Sequence, residues 1–172
     1  MRFGRVRGGC AEVRCMRVPY RAVDDLDEVL AWQVELGARS VVLDVEPLVA
    51  LWDTDEQVLR AGVDLVLDRF AGTAGVDVVA IATNSLRHLQ VEPRQGVEVL
   101  YLSAARKPFA LSQYERLPSP GIIVGDQIAT DGVLARRLGF AFAHVQYSRF
   151  SPPRGPRLMR QVGKPLRGWL FG

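Results

Sequence analysis

Four short polar segments carry the side chains that phosphoryl transfer from a monoester requires. Asp44 and Glu46 are two carboxylates separated by one residue. The other segments, further along the chain, are Thr83-Asn84-Ser85, Arg106-Lys107-Pro108, and Gly125-Asp126 with Asp131 close behind. Such a transfer needs a nucleophile, donors to the phosphoryl oxygens, a cation to offset their charge and an acid for the leaving group. Together the four segments contain a candidate for each.

The catalytic and substrate-binding candidates follow from side-chain chemistry. Asp44 is the candidate nucleophile, which would form an aspartyl-phosphate, and Glu46 is the candidate acid and base. Thr83 and Lys107 would hold phosphoryl oxygens during catalysis. Asn84, next to Thr83, is a further candidate for binding the substrate.

Carboxylates predict the metal site. Mg²⁺ prefers hard oxygen ligands, and repulsion among several clustered acids also favours a bound cation. The candidate ligands are Asp44, Glu46, Asp126 and Asp131. Taken singly, the last two could be ordinary loop or helix-capping acids, and Lys107 could be a surface lysine. The order of all four segments along the chain favours the catalytic interpretation.

Short apolar runs alternate with helix-like segments and predict how these residues are positioned. We expect strands at 40–45, 77–82, 97–102, 121–124 and 140–146, and helices at 24–36, 55–71 and 130–138, with Gly37 and Gly139 as helix stops. This alternation predicts an α/β fold with a doubly wound, mainly parallel sheet. Ligands bind such sheets at the carboxyl ends of the strands, which is where the four segments lie.

The same segments resemble a known family. DVEPLVALWD, ATNS, ARKPF and VGDQIATDGVLARRLGF are similar to the haloacid dehalogenase (HAD) superfamily, in particular its YqeG-type branch of phosphatidylglycerophosphate phosphatase-like proteins. The resemblance covers about residues 24–150, and Trp52, Arg-Lys-Pro and GDQxxTD are its most specific parts. It implies a Rossmannoid three-layer sandwich, Mg²⁺, an aspartyl-phosphate and a phosphatase role in phospholipid metabolism.

The resemblance also implies that there is no large cap domain. The spacing agrees, because only about ten residues separate Glu46 from the next predicted helix. An uncapped site can receive a bulky substrate, such as a protein side chain or a lipid head group. The leading hypothesis is a hydrolase acting on phosphatidylglycerophosphate or another phosphorylated small molecule or head group.

Two positions depart from the family pattern. The first motif there usually reads Asp-x-Asp-x-Thr, whereas Glu46 and Leu48 stand here at the second and third positions, with Pro47 between them. Glutamate moves the carboxyl group by roughly one bond length, enough to alter a rate that depends on positioning. We favour an active enzyme. The alternative is a catalytically weak or inactive binding protein that engages a partner or an anionic surface through its basic ends.

Charge is distributed unevenly along the chain. Residues 1–23 carry a net charge of +5, residues 147–172 carry +6 and the middle carries −8. We therefore divide the chain into a basic N-terminal segment (1–23), the phosphatase-like domain (24–150) and a basic, apolar tail (151–172). Basic ends suit peripheral contact with anionic lipid, while nucleic acid is the less favoured partner and simple solvation remains open.

The position of the apolar C-terminal tail is open to two interpretations. Its prolines and glycines are expected to exclude one long helix and to leave a short one at 156–162. The terminal Trp169-Leu170-Phe171 would then be an interfacial membrane anchor, or the tail would pack back on the domain or on another subunit.

Composition excludes several classes of protein. With 48% hydrophobic and 24% charged residues, the chain is expected to be globular, without a membrane span or a secretory signal. Cys10 and Cys15 are expected to be free thiols, which favours a cytoplasmic location, at most peripheral to the inner membrane face. His88 and His144 lack metal-ligand spacing and are expected to be structural. The sequence leaves the oligomeric state open.

Overall fold

The computed structural model describes residues 18–52, 54–146 and 153–172. Cys10, Cys15 and most of the basic N-terminal segment lie outside the described residues. Strands and helices alternate in the order β1 (Tyr20–Val23), α1 (Leu26–Leu36), β2 (Ser40–Leu43), α2 (Glu56–Ala71), β3 (Val78–Ala82), β4 (Glu98–Leu102), β5 (Gly121–Gly125), α3 (Val133–Leu138), β6 (Ala141–Val145) and α4 (Arg154–Phe171).

The strands form one six-stranded sheet in the order β1-β6-β5-β2-β3-β4. All neighbouring pairs are parallel, which confirms the predicted α/β fold with a parallel sheet. The central strands β2, β3 and β5 are buried along their whole length, as expected for short runs of Val, Ile, Leu and Ala inside a parallel sheet.

Two hydrophobic clusters lie on opposite faces of the sheet. Val41 and Leu43 of β2 point into the cluster that contains α1 and α2, whereas Val42 points into the one that contains α3 and α4. This alternation is the period of two expected of a strand. The molecule therefore has three layers, with helices on both faces, as in a Rossmann-like sandwich.

Polar residues fix the ends of the helices. The Asp25 carboxylate accepts a hydrogen bond from the N–H of Glu28 at 2.9 Å and begins α1. Asp55 begins α2 in the same way, through the N–H of Val58. The predicted stops at Gly37 and Gly139 are confirmed, since both have positive φ and lie directly after α1 and α3.

Strand β1 was not predicted. It lies within 1–23, the stretch that the charge pattern assigned to the N-terminal segment, and it pairs with β6 at the edge of the sheet. Its short run, Tyr-Arg-Ala-Val, is largely exposed except at Val23 and lacks the apolar run by which the buried strands were found.

The expectation that proline and glycine exclude one long helix from the tail was wrong. Helix α4 is continuous over 18 residues. Pro156 lies in its first turn, where a backbone N–H has no helical partner to lose, and Pro165 lies on the exposed side, where water can reach the freed carbonyl. Gly163 faces the domain, and a Cβ there would be 3.0 Å from the Cβ of Ile128.

The end of α4 packs on the domain. Leu170 is buried, and the ring of Phe171 stacks on Phe142 with 5.5 Å between centroids. Trp169 is 79% exposed. Leu170 and Phe171 thus follow the second alternative for the tail, and Trp169 alone of the three faces solvent. None of the helices in the described part of the chain is both long and apolar enough to cross a membrane.

Candidate functional site

The sheet reverses its order of strands at β2. From there the chain runs outward through β3 and β4 on one side, while β5 lies on the other side of β2. The carboxyl ends of parallel strands meet at one edge, and ligands of such sheets bind at the reversal point. Asp44 directly follows β2, Thr83 follows β3 and Asp126 follows β5, so three of the predicted segments meet there.

Lys107 joins two of the acids at this edge. Its Nζ lies 2.9 Å from Asp44 Oδ1 and 2.8 Å from Asp131 Oδ1. The side chains are nearly inaccessible, with exposed fractions of 2% for Lys107, 9% for Asp44 and 0% for Asp131. Asp44 Oδ1 also accepts a hydrogen bond from the N–H of Val45. Lys107, a predicted catalytic residue, therefore lies between two buried carboxylates.

Asp126 has a different basic partner. Its Oδ2 accepts a hydrogen bond from Arg160 Nε at 2.8 Å, and its side chain is fully buried. Its Oδ1 is also buried and has no hydrogen-bond partner among the described residues. A buried carboxylate oxygen without a hydrogen-bond partner is costly, and a bound cation would offset that cost.

Three acids lie close enough together to hold one metal ion. One carboxylate oxygen from each of Asp44, Asp126 and Asp131 lies within 4.8 Å of the others. Three hard oxygen ligands that leave room for water and substrate fit Mg²⁺ chemistry. Glu46, the fourth candidate ligand, lies outside this cluster.

The backbone of Lys107 is fixed by hydrogen bonds at both its N–H and its carbonyl. The side-chain oxygen of Asn84 accepts the N–H of Lys107 at 2.7 Å, and its amide donates to the Lys107 carbonyl at 3.2 Å. Ala104 and Arg106 both have positive φ, near 47° and 49°, a conformation that costs free energy in residues other than glycine. Asn84, a candidate for substrate binding, here positions the backbone of Lys107.

A π-helical turn at Ile128–Gly132 carries Asp131 into the site. Such turns are rare in proteins, and those that occur are often found at functional sites. The predicted helix at 130–138 is confirmed in part, because the chain is helical from Ile128 to Leu138 but its first turn is π-helical and α3 begins only at Val133. Asp131 lies buried within the π-helical turn rather than capping a helix. A Cβ on Gly125 would overlap the Asp131 carboxylate, so glycine is required for this close approach.

Glu46 is partly buried and lies at the mouth of the site. Its Oε1 is 3.5 Å from Arg87 Nη1, and Arg87 is held in turn by hydrogen bonds to the carbonyl and hydroxyl of Thr54. Burial raises the pKa of Glu46, while Arg87 acts to lower it. The raised pKa favours the protonated form that a general acid needs.

Burial also controls the pKa values inside the site. It raises the pKa of Asp44 well above its usual range, against the opposing effect of Lys107, and it raises that of Asp126 to about 6, helped by the charge of Asp131. Burial acts to lower the pKa of Lys107, but Asp131 and Asp44 outweigh it and raise that pKa. Lys107 stays charged, and a bound cation would favour the ionised forms of Asp44 and Asp126.

A cavity of about 310 Å³ opens beside Asp44. It is lined on the sheet side by Asp44, Glu46 and Thr83, and on the far side by the first turns of α4. The residues from α4 are Gly155, Pro156 and Met159, and the remaining lining residues are Trp52, Asn84, Ser85, Gln127 and Thr130. The cavity is large enough for a phosphoryl group with part of its leaving group.

Sequence reasoning missed two basic residues of the site, Arg87 and Arg160. Neither stands in one of the four segments, and each reaches its acid from a distant part of the chain.

The two histidines differ in their contacts. His144 lies beside the site, with Nε2 3.2 Å from the Asp126 carbonyl and Nδ1 2.8 Å from the Tyr20 hydroxyl. His88 makes an edge contact with the ring of Tyr101.

No family model, no curated protein and no solved structure matches this chain. Any function must therefore be argued from the chemistry of the site.

Proposed function

We propose that this protein is a Mg²⁺-dependent phosphomonoester hydrolase that works through an aspartyl-phosphate on Asp44. The observation that carries the proposal is the meeting of Asp44, Asp126 and Asp131 within 4.8 Å, with Lys107 ion-paired to two of them. A nucleophile, a cation site and a fixed positive charge at the reversal point of a parallel sheet are what phosphoryl transfer requires.

The charges of the site support the need for a metal. Four carboxylates, Asp44, Glu46, Asp126 and Asp131, face three basic side chains, Arg87, Lys107 and Arg160. With all of them ionised the net charge is −1, which repels a phosphate dianion. When bound, a divalent cation offsets charge on the transferring oxygens and makes the site attractive to the substrate.

In the first step, Asp44 attacks phosphorus through a carboxylate oxygen. A new P–O bond forms, and the ester P–O bond breaks with its electron pair remaining on the alkoxide oxygen. Glu46 gives its proton to that oxygen, which suits the raised pKa of its carboxyl group. Lys107 stabilises the charge on the equatorial oxygens, and Thr83, which lines the cavity, is placed to donate to them.

In the second step, the aspartyl-phosphate is hydrolysed. Glu46, now a carboxylate, takes a proton from a water molecule whose oxygen attacks phosphorus. The P–O bond to Asp44 breaks, inorganic phosphate leaves and the Asp44 carboxylate is restored. Both steps use the same residues, so one site suffices for the whole reaction.

The proposed substrate is a phosphorylated head group, such as that of phosphatidylglycerophosphate, or a related small molecule. The cavity supports a substrate that extends beyond its phosphate, because it is open to solvent and bounded by the side chain of Trp52 and the first turns of α4. The choice of a lipid head group as the substrate rests on the resemblance of the sequence motifs to the phosphatidylglycerophosphate phosphatase-like proteins.

A catalytically weak binding protein is the second candidate, and the contact between Glu46 and Arg87 favours it. A guanidinium 3.5 Å from the carboxylate stabilises the ionised form of Glu46, which cannot protonate a leaving group. Leu48 also removes the hydroxyl that the family pattern has at that position.

A phosphatase panel that includes phosphatidylglycerophosphate tests the two candidates. We expect phosphate release with Mg²⁺, none after chelation, and a loss of at least about 10³-fold in Asp44→Asn. Normal folding and Mg²⁺ binding without turnover would support the weak binding protein, and a gain of activity in Glu46→Asp would then identify the cause. Turnover that survives Asp44→Asn would contradict the hydrolase mechanism.

A further inference from the structure

The C-terminal helix contributes a residue to the candidate metal site. Arg160, in the second turn of α4, donates from Nε to Asp126 Oδ2 at 2.8 Å. The Asp126 side chain has an exposed fraction of 0% and that of Arg160 one of 23%. This is a charge-assisted hydrogen bond in a protected environment, which is stronger than the same contact on the surface.

Close packing of α4 on the domain fixes the position of Arg160 relative to Asp126. At Gly163, one turn after Arg160, an added Cβ would lie 3.0 Å from Ile128 Cβ and 3.3 Å from the N of Ala129. Those two residues begin the π-helical turn that carries Asp131. The end of the helix is fixed by Leu170, which is buried, and by Phe171. Helix α4 thus packs on the backbone that presents one acid while it holds the side chain of another.

We propose that Arg160 is a positioning residue for the cation, and that through it the docking of α4 is coupled to metal binding. Arg160 occupies Oδ2 of Asp126, so Oδ1, buried and without a partner among the described residues, is the oxygen left for the cation. Partners of metal ligands generally fix ligand orientation in this way, and their loss costs about 10–100-fold in metal affinity. This inference rests on the proposed cation site.

The opposite possibility is that Arg160 competes with the cation. A guanidinium beside a metal ligand also repels Mg²⁺, and if repulsion dominates, its removal tightens binding. The two effects have opposite signs, so a measured affinity decides between them.

Isothermal titration with Mg²⁺, on the full chain without substrate, makes the measurement. We expect Arg160→Met to weaken Mg²⁺ binding by about 10-fold or more and Arg160→Lys to restore part of the loss. Arg167→Met is the matched control, because it removes an equal charge from the same helix, where Arg167 lies over the ring of Tyr20 rather than on Asp126. Unchanged or tighter binding in Arg160→Met would overturn the proposal.

Hydrogen exchange of the α4 amides tests the coupling. Coupling between two sites is reciprocal, so Mg²⁺ should slow exchange in α4 of the wild type and have little effect in Arg160→Met. Equal slowing in both proteins would show that the coupling does not pass through Arg160, and no slowing in the wild type would show that the helix and the cation are independent. If the wild type binds no Mg²⁺, the proposed function itself fails. If it binds Mg²⁺ and hydrolyses substrate while Arg160→Met behaves as wild type, only the role of Arg160 fails.

Discussion

At the scale of single residues, the buried ammonium of Lys107 stabilises the site electrostatically. It lies within 2.9 Å of Asp44 and Asp131, and without it two inaccessible carboxylates would face each other unpaired. Removing one partner of a buried ion pair is far more costly than removing an exposed one, since the remaining charge is poorly solvated. Lys107 therefore has a structural role in the metal-free protein in addition to its proposed catalytic role.

Replacing Lys107 with methionine is expected to lower the free energy of unfolding by about 3–5 kcal/mol in the absence of metal. Saturating Mg²⁺ should recover part of that loss, because the cation replaces the missing positive charge. Urea unfolding with and without Mg²⁺ measures both effects.

Arg39→Met provides the control for that experiment. Arg39 and Asp77 form an ion pair on the surface, with exposed fractions of 54% and 45%, so a change within about 1 kcal/mol is expected. If Lys107→Met were no more destabilising than Arg39→Met, Lys107 would not be the electrostatic centre of the site.

Residue types and their order along the chain were enough to predict most of the acids and the lysine. Asp44, Asp126 and Asp131 stand together with Lys107 because their segments follow β2, β5 and β4, and parallel strands end at one edge. Arg160 could not be predicted in this way. A basic residue in a basic tail has no distinguishing signal until the tail is seen to fold against the sheet.

At the scale of elements, the π-helical turn and the end of β5 must approach closely to bring in Asp131. Gly125 makes this possible, because any side chain there would overlap the Asp131 carboxylate. The turn forms the start of the helix that the sequence predicted, and it keeps Asp131 buried, with Oδ1 beside Lys107 and Oδ2 accepting from the N–H of Gln127.

Gly125→Ala is expected to destabilise the protein by about 1–3 kcal/mol and to weaken Mg²⁺ binding, since the new methyl group displaces Asp131. Thermal unfolding and Mg²⁺ titration measure the two effects. In the control Gly168→Ala, the added methyl meets nothing within 4 Å in the last turn of α4, and a gain of at most about 0.5–1 kcal/mol is expected. Wild-type Mg²⁺ affinity in Gly125→Ala would show that Asp131 is not a ligand.

Helix α4 shows why composition alone predicted the tail poorly. Prolines and glycines lower the helical propensity of an isolated segment, but their positions decide whether a docked helix tolerates them. Pro156 lies in the first turn, and Gly163 lies where the helix touches the domain. The apolar runs that predicted the central strands need no such context, because those strands are buried on both faces.

At the scale of the whole molecule, α4 also presents a face to solvent. Leu158, Val162 and Trp169 lie on one side of it, with exposed fractions of 61%, 49% and 79%. Their spacing of four and seven residues places them in one stripe. Residues 153–172 contain no acid and five basic residues. An apolar stripe on a cationic helix suits the surface of an anionic membrane, in keeping with the proposed head-group substrate.

Vesicle sedimentation tests this surface. We expect stronger binding to vesicles that contain anionic lipid than to zwitterionic ones, with binding that weakens as salt is added. The double variant Leu158→Ser/Trp169→Ser should lose most of it. Val34→Ser/Leu65→Ser removes exposed apolar side chains from other helices and should bind as wild type. Equal losses in both variants, or no preference for anionic lipid, would argue against a membrane role for α4.

The most direct measurement for the whole account is the detection of a phosphoryl group on Asp44. The protein is mixed with p-nitrophenyl phosphate, quenched in acid during turnover and digested for mass spectrometry. With Mg²⁺ we predict a phosphoryl group on the peptide that carries Asp44. It should be absent after chelation and in Asp44→Asn. Steady turnover with no phosphoryl group on that peptide, or undiminished turnover in Asp44→Asn, would contradict the account.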